Sequence, residues 1–86
     1  MDDLTNQKKR LKIQSWRRGM KEMDLILGKF IDKNFDALTL DEIASYERLL
    51  LQDDQLIFSW FCNYEKIPVE FTSVVAKISE SIEQIK

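Results

Sequence analysis

The sequence predicts an all-α fold, a compact five-helix bundle that forms a single domain over residues 1–86. The chain has one proline and two glycines, so it lacks the turn residues that a many-stranded sheet requires. Its apolar residues recur every three or four positions, as on one face of a helix, and each such face must be buried against another helix. A chain of this length can build one modest core but not a second.

The first helix is predicted from Thr5 to Trp16, where most residues are good helix formers. Its expected apolar contacts are Leu4, Leu11 and Trp16. Gly19 follows at a place where a helix can stop or bend, because glycine adopts left-handed backbone angles without steric cost.

The second helix is predicted from Met20 to about Asn34. Its inner face is expected to hold five apolar residues: Met23, Ile26, Leu27, Phe30 and Ile31. Gly28 lies inside this helix, where glycine costs about 1 kcal/mol relative to alanine. We therefore expect a neighbouring helix to pack closely against Gly28.

The third helix has the clearest start signal, a capping box in which Thr39 is the N-cap and Glu42 reaches back to it. Leu38 and Ile43 occupy the positions of a hydrophobic staple, which fixes how the chain enters the helix. The helix is expected to run to about Leu51.

Asp53 and Asp54 supply a cap and favourable first-turn charge for a fourth helix, which is predicted to end near Asn63. Trp60 is expected in the core or at its edge. Cys62 is expected to be a small buried apolar residue rather than a reactive thiol.

The fifth helix is predicted to begin near Pro68, because proline suits the first turn of a helix. Its apolar residues repeat every three or four positions and form one seam: Phe71, Val75, Ile78, Ile82 and Ile85.

Charge is distributed unevenly, although the net charge is only −2. Seven basic residues precede Glu22: Lys8, Lys9, Arg10, Lys12, Arg17, Arg18 and Lys21. Such a segment is expected to attract anions. One possible function is therefore that of a small helical regulatory or nucleic-acid-binding protein that uses this basic segment, and it is kept as the alternative to the function considered below. A solvated helix face explains the same pattern, and the overall acidity and the lack of stacking aromatics other than Trp16 argue against nucleic acid.

The composition argues against catalysis and metal binding. The chain has no histidine and one cysteine, so it lacks the usual transition-metal donors and the base of a Ser–His or Cys–His system. Its two glycines, nine residues apart, cannot form a dinucleotide or phosphate-binding loop. Asp53 and Asp54 are adjacent, and adjacent helical residues do not face each other, so a cap is favoured over a catalytic pair. We expect a non-catalytic protein without a tightly bound cofactor.

A single cysteine cannot form an internal disulfide, and no apolar run approaches the ~20 residues needed to cross a bilayer. The first residues also lack the character of a signal or transit peptide. We therefore expect a cytoplasmic protein without membrane insertion. A monomer is expected because the binding surface would otherwise have to be shared.

The candidate binding site is the element Arg18-Gly19-x-x-Glu22. Arg18 offers a planar fork of donors, Glu22 offers an acceptor, and Gly19 lets a partner atom approach the main chain. The same spacing also fits a glycine helix stop beside a local Arg–Glu pair, and spacing alone does not separate the two interpretations.

This element resembles the R-G-x-x-E motif of the succinate dehydrogenase flavinylation factors, also called succinate dehydrogenase assembly factors. A second block, residues 49–61, is similar to the family's L-L-x-x-x-D-x-x-L-x-x-W pattern. Between them lies a similar helix start, Asp36-Ala37-Leu38-Thr39. Where the family often has a glycine after the tryptophan helix, this chain has Asn63, which can form the same left-handed cap.

The resemblance implies a bundle that binds the flavoprotein subunit of succinate dehydrogenase, and in some bacteria its fumarate reductase relative. It also implies that the bundle promotes covalent attachment of FAD, carried by the partner, to a histidine of that subunit. The partner-binding residues that it implies are Arg18, Gly19 and Glu22. Weaker candidates, chosen by position and charge, are Arg17, Met20, Asp53 and Asp54.

Three substitutions follow from this resemblance. Gly19→Arg is expected to abolish flavinylation while the bundle stays folded. Arg18→Ala and Glu22→Ala are expected to weaken binding with little change in melting temperature.

Overall fold

The computed structural model describes the backbone of residues 3–85 and the side chains of residues 3–82. The helices are α1 (Asp3–Trp16), α2 (Lys21–Asn34), α3 (Leu40–Leu50), α4 (Asp54–Phe61) and α5 (Thr72–Ile85), with 3-10 turns at Phe35–Ala37 and Val69–Phe71. No strand occurs within residues 3–85. The Cα radius of gyration is 12.2 Å, against about 12 Å expected for a compact chain of this length. The all-α five-helix bundle is confirmed.

Helix α2 packs mainly against α1 and also against α5, while α3 contacts both α1 and α5, and α4 contacts α5. Four of the five residues predicted for the inner face of α2 are buried: Met23, Leu27, Phe30 and Ile31. The fifth, Ile26, is partly buried and packs at the edge of the core. Trp60 is also buried, as predicted. The periodicity therefore identified the helix that organises the core.

The predicted capping box of α3 is present. The Thr39 hydroxyl accepts a hydrogen bond from the Glu42 backbone N–H at 3.1 Å, and the Glu42 carboxylate accepts one from the Thr39 N–H at 2.9 Å. Asp53 caps α4 through its carboxylate, which accepts from the Gln55 N–H at 3.0 Å. These bonds satisfy amide groups that a helix leaves unpaired at its first turn.

The cap predicted at Asn63 is also present. Asn63 has φ 62, in the left-handed region. The Tyr64 N–H donates to the Ser59 carbonyl at 2.9 Å and the Asn63 N–H donates to the Trp60 carbonyl at 3.3 Å. This pair of bonds is the Schellman motif, so asparagine ends α4 where a glycine would otherwise serve.

Several details differ from the sequence-based expectations. Leu4 is exposed and Cys62 is only half-buried, so neither is a core residue. Pro68 precedes a 3-10 turn, and α5 begins only at Thr72. The seam of α5 also includes Val74, which is fully buried and was not predicted. The side chain of Ile85, predicted for that seam, lies outside the described residues.

The expected close approach to Gly28 is provided by Trp16 at the end of α1. A Cβ atom added at Gly28 would lie 2.3 Å from Cδ2 of the indole. The indole Nε1 donates a hydrogen bond to the Asp32 carboxylate at 3.1 Å, which fixes the ring over α2. Gly28 therefore has a packing role that alanine cannot fill without moving the ring.

Opposite charges pair across the bundle. Four of the seven basic residues before Glu22 form ion pairs with acidic residues: Lys8 with Asp36, Arg10 with Glu47, Lys12 with Asp32 and Arg18 with Asp54. More than half of the basic residues in this segment are thus paired within the chain. This pairing reduces the charge that an anionic partner would meet, so it does not favour the nucleic-acid alternative.

Candidate protein-binding site

The candidate site begins in the connection between α1 and α2. Gly19 is exposed and has φ +94, a backbone conformation that other residues rarely adopt. A Cβ atom added there would meet no atom within 4 Å. Glycine is therefore required at this position by backbone conformation rather than by lack of space, and its main chain is open to an approaching molecule.

The side chain of Arg18 is turned back onto the bundle. Its Nε donates to the Asp54 carboxylate at 2.7 Å, and Nη1 and Nη2 donate to the backbone carbonyls of Leu50 and Gln52 at 2.6 and 2.9 Å. The side chain of Arg18 is 12% exposed and that of Asp54 is 18% exposed. We call these three bonds the Arg18 clamp. It joins the α1–α2 connection to the turn between α3 and α4.

Two backbone groups fix the rest of the connection. The Arg18 N–H donates to the Asp24 carboxylate at 2.6 Å. Met20 is the extended N-cap residue of α2, with φ −116 and ψ 119, and its carbonyl accepts from the Asp24 N–H at 3.0 Å. Its side chain packs against the core. Asp24, which the sequence did not single out, therefore holds the connection over the first turn of α2.

Glu22 and Arg17 are exposed, and no side-chain hydrogen bond or ion pair of either residue is found within residues 3–82. Arg18 pairs with Asp54, 36 residues away, so the local Arg–Glu pair that the spacing also allowed is not formed. Both side chains remain available for contacts outside the chain.

The structure thus brings together residues from the two sequence blocks. Arg18 of the first block binds Asp54 of the second, while Asp53 caps α4 at the surface. The partner-binding roles of Arg18, Gly19 and Glu22, and of the weaker candidates, stay predictions. The geometry distinguishes an exposed group, Gly19 and Glu22, from a half-buried one, Arg18.

Leu51 was not predicted as a site residue. It follows the last residue of α3, is 82% exposed, and lies between the two carbonyls that Arg18 binds. Its neighbours Leu49 and Leu50 are buried. The sequence carried a signal for it, because three consecutive leucines at a helix end cannot all face the core.

No group of three or more histidine, cysteine, aspartate or glutamate side chains within residues 3–82 is arranged to hold a metal ion. Among the described helices, none has the length and apolar character required to cross a membrane.

The fold is that of a small all-α domain, and its candidate site is an exposed main-chain segment that another protein can approach. Residues 9–82 match the sequence model of the family described as flavinator of succinate dehydrogenase. The chain belongs to this family, as the R-G-x-x-E element indicated.

Curated relatives agree with this assignment. The chain is 37% identical over 78 residues to succinate dehydrogenase assembly factor 2, mitochondrial, of Dictyostelium discoideum, a match that covers 91% of this chain and 55% of that protein. It is 32% identical over 75 residues to FAD assembly factor SdhE of Legionella pneumophila, covering 87% of this chain and 95% of the relative. This chain therefore spans about half of the first relative and nearly all of the second. No solved structure gives a significant match.

Proposed function

We propose that this chain is a non-catalytic assembly factor that binds the flavoprotein subunit of succinate dehydrogenase and promotes covalent attachment of FAD to it. The family match over residues 9–82 carries this proposal. Two relatives, named as a succinate dehydrogenase assembly factor and an FAD assembly factor, support it. The exposed Gly19 main chain supplies a surface on which such binding can occur.

In this proposal the flavin chemistry belongs to the partner. The chain contains no histidine, so a histidine that accepts the flavin must come from the flavoprotein. FAD is carried by the flavoprotein, and this chain binds no cofactor tightly. It acts by binding more tightly to the flavoprotein conformation in which the accepting side chain and the flavin are aligned, which increases the population of that conformation.

The proposed complex contains one copy of this chain, acting in the cytoplasm before the succinate dehydrogenase complex assembles. A fumarate reductase flavoprotein is a second proposed client. Glu22 and the main chain at Gly19 are proposed to contact the flavoprotein, because both are exposed and both lie in the R-G-x-x-E element. A glycine there lets partner atoms come within contact distance of the backbone.

The proposal is tested by reconstitution. A succinate dehydrogenase flavoprotein subunit that holds FAD noncovalently is incubated with or without this chain, and protein-bound flavin fluorescence is measured after denaturing electrophoresis. The unmodified chain is expected to increase covalent flavin. Gly19→Arg is expected to abolish that increase, because a long side chain then covers the contact surface.

Asn63→Arg is the matched control. Asn63 is exposed and has positive φ, so the substitution places the same side chain on a similarly strained backbone at the far end of α4. This variant is expected to promote flavinylation normally. No increase in covalent flavin with the unmodified chain would refute the proposed function. Equal loss of activity in both variants would show that Gly19→Arg acts through folding and not through contact.

A further inference from the structure

We propose that Arg18 serves partner binding as a positioning residue, and that the flavoprotein contacts the Gly19 main chain together with the side chain of Leu51, which the Arg18 clamp holds in place. This inference rests on the proposed function and identifies the surface that carries it out. It differs from the sequence-based expectation, in which the Arg18 fork itself binds the partner.

The hydrogen bonds of Arg18 argue against direct contact. Each of its three guanidinium nitrogens already donates within the chain, to the Asp54 carboxylate and to the carbonyls of Leu50 and Gln52. Two of its five N–H donors remain, but the side chain is only 12% exposed, and a partner that engaged the whole guanidinium would have to break these charge-assisted bonds and leave Asp54 without its counter-ion. The arginine is better placed to shape the surface than to form part of it.

The clamp fixes the backbone on both sides of Leu51. The carbonyls of Leu50 and Gln52 flank this residue, and one guanidinium binds both of them. The Leu51 side chain, 82% exposed, therefore projects from a turn whose backbone is already ordered. Because little backbone freedom remains to be lost, burying Leu51 in an apolar pocket of a partner has a small entropic cost.

The clamp also joins the turn that carries Leu51 to the residue that precedes Gly19. Arg18 immediately precedes Gly19, and its side chain reaches the turn that carries Leu51. The Arg18 N–H is held by Asp24, so the connection is fixed at its backbone as well as at its side chain. Arg18 thus links two separate connections: the α1–α2 connection, which carries the exposed Gly19 backbone, and the α3–α4 turn, which carries the exposed Leu51 side chain.

The decisive variant is Asp54→Asn, which leaves Arg18 in place and weakens the clamp. If the Arg18 guanidinium contacts the flavoprotein directly, weakening its bond to residue 54 leaves the affinity of the chain for the flavoprotein unchanged or raises it. If Arg18 positions the surface, Asp54→Asn weakens binding by about ten-fold, as Arg18→Lys does, and the two losses do not add in the double variant, whereas independent direct contacts of the two residues would give additive losses. Affinity is measured by calorimetry with the flavoprotein subunit carrying noncovalent FAD, below the onset of thermal unfolding of every variant. Under that condition a purely stabilising role of Arg18 does not change the affinity.

Leu51→Ser and Leu40→Ser form a matched pair. Leu40 is 77% exposed and is the first residue of α3, whereas Leu51 follows the last. Leu51→Ser is expected to weaken binding by about ten-fold and Leu40→Ser to leave it unchanged. The Arg18→Lys, Leu51→Ser double variant is expected to bind within about two-fold of the weaker single variant, because the two residues act as one unit.

The results separate this inference from the proposed function. Normal flavinylation and binding by the unmodified chain, with full affinity in Asp54→Asn, would overturn the positioning role alone. Equal losses in Leu51→Ser and Leu40→Ser would overturn the assignment of Leu51. If the unmodified chain does not bind the flavoprotein, the proposed function and this inference are both overturned.

Discussion

Gly19 and Gly28 are the only glycines in the chain, and the structure requires them for opposite reasons. At Gly19 the space around the residue is open, but φ +94 disfavours any side chain. At Gly28 the backbone is helical, but the Trp16 indole occupies the space that a Cβ atom would need. One glycine is required by backbone conformation and the other by close packing.

The difference shows how a small bundle keeps a binding surface apart from its core. Trp16 is the last residue of α1, and Arg18 lies in the short connection that follows it. Trp16 packs on Gly28 and fastens α1 to α2, whereas Arg18 fastens the connection to the α3–α4 turn. The residues just before Gly19 are therefore fixed by two separate anchors, while Gly19 itself remains exposed. Substitutions at the packed glycine should affect stability, and substitutions at the exposed glycine should affect binding.

The largest loss of stability is expected for Gly28→Val. Its branched side chain cannot fit beneath the indole, so Trp16 must leave its position and lose its hydrogen bond to Asp32. Overpacking of this kind is expected to lower the free energy of unfolding by about 3 kcal/mol. Urea denaturation followed by circular dichroism measures the change.

A double-variant comparison tests whether the indole is the cause. Gly28→Ala is expected to destabilise the unmodified chain, because its Cβ would lie 2.3 Å from the ring. In a Trp16→Ala background the same substitution should instead stabilise by about 1 kcal/mol, the helix-propensity difference between the two residues. A loss of stability in both backgrounds would show that Trp16 is not what makes Gly28 necessary.

The next largest effect is expected for Arg18→Ala. Removing the clamp leaves the half-buried Asp54 carboxylate and two carbonyls without their donor, which should cost about 2 kcal/mol. That corresponds to a fall in melting temperature of about 10 °C for a domain of this size. The expectation from sequence, little change in melting temperature, is thereby replaced.

Arg17→Ala is the matched control for this substitution. Arg17 is the adjacent arginine, exposed and without a side-chain partner within residues 3–82. Its removal is expected to change stability by less than about 0.5 kcal/mol. Thermal unfolding of the two variants under the same conditions gives the comparison, and equal losses would mean that the clamp adds no stability.

A smaller effect is expected for Gly19→Ala. No atom blocks the new methyl group, so the cost is the strain of a left-handed backbone, about 1 kcal/mol. Gly19→Asn is expected to cost less, because asparagine tolerates positive φ, as Asn63 does in this chain. Urea midpoints of the two variants test this order. If both variants lose several kcal/mol, Gly19 is a packed residue like Gly28.

The same contrast explains how much the sequence could predict. The Thr39 capping box, the Asn63 cap and the helix positions other than the start of α5 depend on residues within a few positions of each other, and these were identified correctly. The need for close packing at Gly28 was also predictable, because an interior helical glycine is costly without a reason. The identity of the residue that packs there, Trp16 of α1, was not.

The contacts that define the candidate site could not be read from the sequence, because they join distant segments. Arg18 and Asp54 are 36 residues apart, and neither periodicity nor capping links them. A local Arg–Glu pair was the nearest option that spacing offered, and the structure replaces it with a longer-range pair. The uneven charge was visible, but its internal pairing depends on how α1 packs on the acidic residues.

The smallest effect concerns an ion pair outside both glycine regions, between Lys77 of α5 and Glu42 of α3, 2.6 Å apart. The pKa of Glu42 is lowered below its usual value of 4.5, mainly by the hydrogen bond from Lys77 and to a smaller extent by the hydrogen bond from the Thr39 N–H. A carboxylate with a lowered pKa in the folded state stabilises the fold above pH 4.5 and loses that contribution as the pH falls through the lowered value.

Lys77→Met should therefore destabilise the chain at neutral pH by less than about 1 kcal/mol, because the lysine is 41% exposed and solvent weakens the pair. The difference from the unmodified chain should shrink well below pH 4.5, where Glu42 becomes protonated in both proteins. Urea unfolding at the two pH values measures it. If Lys77→Met lowers the free energy of unfolding at neutral pH as much as Arg18→Ala does, burial does not set the strength of ion pairs in this chain. The Arg18 clamp would then be no stronger than an ordinary surface ion pair.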